Sequence, residues 1–211
     1  QELPAHMPQV KRSLGLVYAV NPFGADHQSS EHDSALRNKP GTLQHGRLEQ
    51  LDIATSLPAT DLSDAKVRFA FRSQCFYSAL DTLGLCQFVW GPSWQLYGPS
   101  ETVELVRAGT GWQATMEELL EIGERKINLE RAFNAREGMG KAADVLPKKL
   151  FQPLEGKGPS AGVALTTEEF EHARESYYRL AGWDVETGYP TPAKLRGLGL
   201  DWLAEKAHAA R

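Results

Sequence analysis

Cysteine is nearly absent: the 211-residue chain holds two, Cys75 and Cys86. Two thiols cannot build the disulfide framework of a small secreted domain, and nothing else points to an oxidising compartment. An excess of basic charge is also missing. Lys and Arg number 23 against 27 Asp and Glu, a formal net charge of −4. No basic face dominates, which argues against general nucleic-acid binding. No apolar run reaches the roughly 18 residues of a membrane span. Glycines are plentiful at 19, yet neither GxxxxGK[ST] nor GxGxxG occurs, so no phosphate loop is legible. Internal repeats, low-complexity tracts and convincing period-2 strands are absent as well.

What is there is ordinary globular composition, 41% hydrophobic and 24% charged. At roughly 150 residues per domain the length suits one large or two small domains with a buried core. The chain opens at Gln1 rather than at a methionine, so it reads as a piece of something longer. The expected organisation is one helical domain over 1–211, with a loop-rich leading segment at 1–60 and a helical core at 61–211.

Punctuation residues divide the chain. Residues 11–20 predict a short helix with Leu14, Val17 and Tyr18 on one face, stopped by Asn21-Pro22-Phe23-Gly24. Residues 25–58 read mostly as loop, with a helical turn near Leu48. A long helix capped by Asp61 or Ser63 follows, apolar nearly all round, and closes at Leu83-Gly84. An aromatic loop carries Trp90, Trp94 and Tyr97, and a short helix covers 100–108. Thr115 and Glu118 form a capping box that opens the longest helix, with Leu119, Ile122, Lys126, Leu129 and Phe133 as its stripe. A Pro/Gly-rich connector, a helix from Thr167 to Leu180 and a last helix from Pro192 complete the chain. The fold class is all-α, an irregular multihelical bundle.

Two segments hold the chemistry. Residues 24–33 contain His27, His32, Asp26, Glu31 and Asp33, which read either as a plain solvated surface loop or as an acid–base pair or local metal site. Residues 81–86 place a carboxylate, a glycine turn and a thiol where a buried helix ends. They read either as a plain helix terminus with a core cysteine, or as a ligand cradle in which Asp81 accepts N–H donors and Cys86 coordinates metal as its thiolate. Cys75, inside the helix, reads as core. Glu169 and His172 have a metal-bundle spacing but read as a solvated face.

Taken together, several stretches resemble the C-terminal part of the tungsten-containing aldehyde ferredoxin oxidoreductase family. They are Glu2-Leu3-Pro4-Ala5-His6, Leu16-Val17-Tyr18-Ala19-Val20, Gly24-Ala25-Asp26-His27 and Asp81-Thr82-Leu83-Gly84-Leu85-Cys86. The helix Asn128-Leu129-Glu130-Arg131-Ala132-Phe133-Asn134-Ala135-Arg136-Glu137-Gly138 and the tail Tyr177-Tyr178-Arg179-Leu180-Ala181-Gly182-Trp183-Asp184 with Thr187-Gly188-Tyr189-Pro190-Thr191 extend the match in the family's order. Met7-Pro8-Gln9 and Phe23-Gly24 depart from common family residues and imply a divergent subfamily.

The resemblance implies a large cytoplasmic enzyme that oxidises aldehydes to carboxylic acids and passes electrons to ferredoxin. It implies tungstopterin (or molybdopterin) and a [4Fe–4S] cluster as cofactors, with the N-terminal domains of the same polypeptide as partners. Carried over by motif, Cys86 is the fourth cluster ligand and Asp81 holds one pterin. Gly84 and Leu85 complete that cradle, and His27 is a hydrogen-bond donor or acid–base group at the active site. The cysteines for the other three cluster ligands are missing here, so the isolated chain is expected to bind no cofactor and to be inactive. Two other readings of the residues stand beside this one: a helical interaction or scaffold module that keeps the fold without cofactors, and a metal-dependent hydrolase built on His27, Glu31 and His32.

Overall fold

Two long helices form the axis of the molecule in a computed structural model that describes residues 5–37, 39–53 and 56–204. Helices α1 (Arg12–Val20), α2 (Leu43–Glu49), α3 (Asp64–Thr82), α4 (Pro99–Thr110), α5 (Met116–Arg136), α6 (Thr167–Ala181) and α7 (Pro192–Gly197) follow in chain order. No strand occurs among the described residues, where two isolated bridges, Trp90–Tyr97 and Trp183–Pro190, are the only β pairing. The bundle is all-α, as expected. Glu2, Leu3 and Pro4 of the opening motif lie outside the described residues.

The α3–α5 contact is the most extensive, and α1 and α6 pack on α3 and on each other. Gly123 makes the α3–α5 approach possible. A Cβ built there would lie 1.8 Å from the Cys75 carbonyl oxygen, so only hydrogen lets the backbones meet. Burial of residues from Lys66 to Leu80 runs almost unbroken along α3, and Cys75 is core.

Helix α1 differs from its sequence reading. All nine of its residues are buried rather than one face, because the helix is inserted against α3, α6 and the 3-10 turn Asp33–Arg37. Its N-terminus is closed from outside the helix. Asp33 accepts the backbone N–H groups of Ser13 at 3.2 Å and Leu14 at 3.3 Å, two of the donors a helix start leaves free. Lys66 reaches the same carboxylate at 2.8 Å and the Pro58 carbonyl at 2.8 Å, with both charged side chains fully buried.

Helix α5 starts at the expected capping box, with Thr115 accepting from Glu118 N–H and Glu118 accepting from Thr115 N–H. Its buried face follows the expected stripe at Leu119 and departs from it farther along the helix. Leu129 and Phe133 are 40% and 56% exposed, whereas Ile127, Asn128 and Arg131 are buried. Polar partners set that phase. Arg131 forks onto Asp144 at 2.8 and 2.5 Å, donates to the Gly188 carbonyl at 2.7 Å and lies 4.5 Å over the Trp183 ring. Asn128 accepts the Trp183 indole N–H at 2.9 Å. An outward row of apolar side chains is left along α5.

Candidate cofactor-facing site

The end of α3 is a Schellman closure. Leu85 N–H donates to the Leu80 carbonyl at 2.9 Å and Gly84 N–H to the Asp81 carbonyl at 3.1 Å, with Gly84 at φ +68°. These are the two bonds that define the motif, and the left-handed residue between them favours glycine. Leu85 packs back on the core. The spacing Asp-x-x-Gly-Leu is therefore a helix terminus first. Both N–H groups are committed to it, which leaves the Asp81 carboxylate for a ligand.

That turn faces outward. Asp81, Gly84 and Cys86 are exposed, and no heavy atom stands within 4 Å of a Cβ built at Gly84. Cys86 is a free thiol, and its carbonyl accepts the Val89 and Trp90 N–H groups, which turns the chain into the aromatic loop. Asp81 accepts from Gln87 Nε2 at 2.6 Å and lies 3.4 Å from Lys126 Nζ. A carboxylate offers about four lone-pair sites, so acceptor capacity remains for the N–H edge of a heterocycle. An exposed thiol and an open turn beside it suit a metal cluster and an organic cofactor.

Lys126 ties this turn to the histidine loop. Its ammonium lies 5.2 Å over the Phe23 ring while reaching Asp81, and Asn134 of α5 donates to the Pro22 carbonyl. The 21–24 turn and the Asp81 turn thus share one side of α5. From there a chain of polar groups holds the loop down. Tyr177 donates to Gln74, Gln74 to Asn21 at 3.1 Å, Asn21 to Ser29 at 3.0 Å and Ser29 to Asp26 at 3.0 Å.

His27 is two-fifths exposed on that loop, 4.0 Å from Asp26. The His6 ring lies 5.0 Å from it and 4.7 Å from the His32 ring. His6 and Met7 both take left-handed backbone, φ +62° and +52°, a geometry uncommon for residues with a Cβ and frequent at functional sites. Burial, then the charges of Lys11 and His27, lower the His6 pKa. Glu31 turns inward. One oxygen accepts the His32 backbone N–H at 2.8 Å, while Oε2 is buried with no hydrogen-bond partner among the described residues. Desolvation raises its carboxyl to about 7, against smaller opposing effects of that N–H and of Lys11. Burial, followed by the Glu31 charge, raises the pKa of Tyr77.

Beyond Cys86 the aromatic loop is clamped rather than loose. Arg47 of α2 donates to the carbonyls of Ser93 at 3.3 Å, Gln95 at 2.6 Å and Leu96 at 3.0 Å. Trp90 and Tyr97 stack with ring centres 4.6 Å apart. Phe88 remains 79% exposed.

The hydrolase reading finds no support. Glu31 points into the core, and among the described residues no group of three or more His, Cys, Asp or Glu is placed to hold a metal ion. Glu169 caps α6 with Thr166 and pairs with Arg12, while His172 pairs with Asp64 on the surface. Asn21, Gln74, Arg47, Lys11 and Lys126 were not singled out for the site from the sequence. Their partners lie elsewhere in the chain, and no spacing rule connects them.

Comparison with known proteins points to one family. Residues 1–200 match the family model described as aldehyde ferredoxin oxidoreductase, domains 2 & 3. The chain is 32% identical over 203 residues to the tungsten-containing aldehyde ferredoxin oxidoreductase of Pyrococcus abyssi, covering 95% of this chain and 30% of that protein. The Thermococcus kodakarensis enzyme of the same name is 31% identical over 94% of this chain and 30% of its own length. Among solved structures, the active-site complex BamBC of benzoyl coenzyme A reductase with 1,5-dienoyl-CoA is similar at TM-score 0.56 and 25% identity. That likeness covers 68% of this chain and 20% of the other. The chain thus spans about 30% of the length of the curated relatives it matches. With a family model spanning nearly all of it, the chain belongs to the aldehyde ferredoxin oxidoreductase family.

Proposed function

We propose that this chain is the helical C-terminal portion of a tungsten (or molybdenum) pterin enzyme that oxidises aldehydes to carboxylic acids. The observation that carries the reading is the exposed Asp81–Cys86 turn, where a carboxylate, an open glycine and a free thiol end a buried helix. Tungstopterin and a [4Fe–4S] cluster, when bound, would take the two electrons released as RCHO and water become RCOOH and two protons, and deliver them to ferredoxin. Cys86 would ligate the cluster as thiolate, and Asp81 would accept hydrogen bonds from the pterin. His27 would take a proton at its imidazole from the hydrating water. The aromatic loop would exclude water beside the cofactors.

Three further cluster ligands would come from upstream domains of the same polypeptide, so the isolated chain is expected to be inactive. The cytoplasm is the expected compartment. The test is the full-length protein purified without oxygen. Tungsten or molybdenum, about four irons per chain and aldehyde-dependent ferredoxin reduction are expected. A native full-length protein lacking these metals and this activity would overturn the reading in favour of a cofactor-free scaffold module.

A further inference from the structure

The rings behind His27 carry an assignment of their own. His32 Nε2 lies 2.9 Å from the His27 carbonyl oxygen, and Lys11 Nζ lies 3.3 Å from His32 Nδ1. A carbonyl only accepts and an ammonium only donates. The two neighbours therefore select the same form of the ring: Nδ1 bare and Nε2 protonated. We propose that Lys11 and His32 are positioning residues for His27, with Lys11 locking His32 as the neutral Nε2–H tautomer that clamps the His27 backbone.

The clamp closes the loop from residue 27 to residue 32, so the His27 side chain projects from a fixed backbone toward solvent. Its surroundings favour the neutral ring. Lys11 precedes α1, His6 approaches from the leading segment, and His27 and Glu31 share the loop. Tyr77 of α3 stands near Glu31. A second proton on His32 would face the Lys11 ammonium at hydrogen-bond distance. Burial, together with the charges of Lys11, His6 and His27, lowers the His32 pKa and outweighs its bond to the His27 carbonyl. Glutamine could copy the arrangement, since it offers one acceptor to Lys11 and one N–H to the carbonyl.

The inference rests on the acid–base role given to His27, but its two tests separate it from that reading. The first is the ring 15N shifts of this chain with labelled histidine, followed from pH 5.5 to 8. A His32 signal with bare Nδ1 and protonated Nε2, gaining its second proton only below the ordinary imidazole range, is expected. An Nδ1–H tautomer, or a ring titrating near its ordinary value, overturns the proposal whatever the enzyme does. The second uses the full-length holoenzyme. His32→Ala is expected to lower kcat about tenfold to a hundredfold with KM little changed, as for a misplaced catalytic group. His32→Gln is expected to recover most of that loss. A His32→Ala enzyme with undiminished kcat, or a His32→Gln enzyme as slow as His32→Ala, contradicts it. A full-length protein that oxidises no aldehyde would remove the role of His27 while the nitrogen shifts still decide the tautomer.

Discussion

Glu31 is the side chain whose removal should stabilise this protein, and the sign depends on pH. Its carboxyl is buried, one oxygen has no hydrogen-bond partner among the described residues, and desolvation raises it from 4.5 to about 7. Between those values the folded chain holds a proton that the unfolded chain has lost. Stability therefore falls as pH rises through that window and levels off above about 7. At about 1.4 kcal/mol per pH unit, the buried carboxylate costs the fold about 3 kcal/mol once fully ionised. Glu31→Gln keeps the shape and removes the titration. Urea unfolding of both chains followed by circular dichroism, with linear extrapolation to water, gives the difference at each pH. That difference should move in favour of the variant by about 3 kcal/mol between pH 4 and pH 8. Parallel curves, or a wild type that gains on the variant as pH rises, would refute the reasoning.

Two further substitutions test how the frame holds the site. Lys66→Met leaves Asp33 buried without its counter-charge and should cost about 3–5 kcal/mol in the same unfolding assay at pH 7. An unchanged midpoint would remove the pair from the account of α1. Gly123→Ala drives a methyl into the Cys75 carbonyl and should destabilise by about 1–3 kcal/mol or more. A wild-type melting temperature would mean that the helices do not meet there.

Local punctuation made much of the frame legible in advance. Thr115 with Glu118, Gly182, and Leu83-Gly84 each announce a helix end by chemistry confined to a few residues, and the structure has those ends within a residue or two. The face of α5 was not legible because hydropathy ranks Leu129 and Phe133 above Asn128 and Arg131. Only the distant Trp183 and Asp144 make the polar pair the buried one. The site divides in the same way. Its motif residues stand together in sequence, whereas the chain from Tyr177 through Gln74 to Asn21 is made of single hydrogen bonds that span 103 and 53 residues. Burial of α1 on every side comes from its insertion against α3, α6 and the Asp33–Arg37 turn, which the mostly apolar run from Leu14 to Val20 permits.

The central claim is that the exposed thiol at the end of α3 completes a cluster built with upstream cysteines. The most direct measurement is the iron content and low-temperature electron paramagnetic resonance of the anaerobically purified full-length protein carrying Cys86→Ala. The account predicts loss of the four-iron signal, with iron falling from about four per chain to three or fewer. A variant that keeps about four irons and the wild-type spectrum would contradict it.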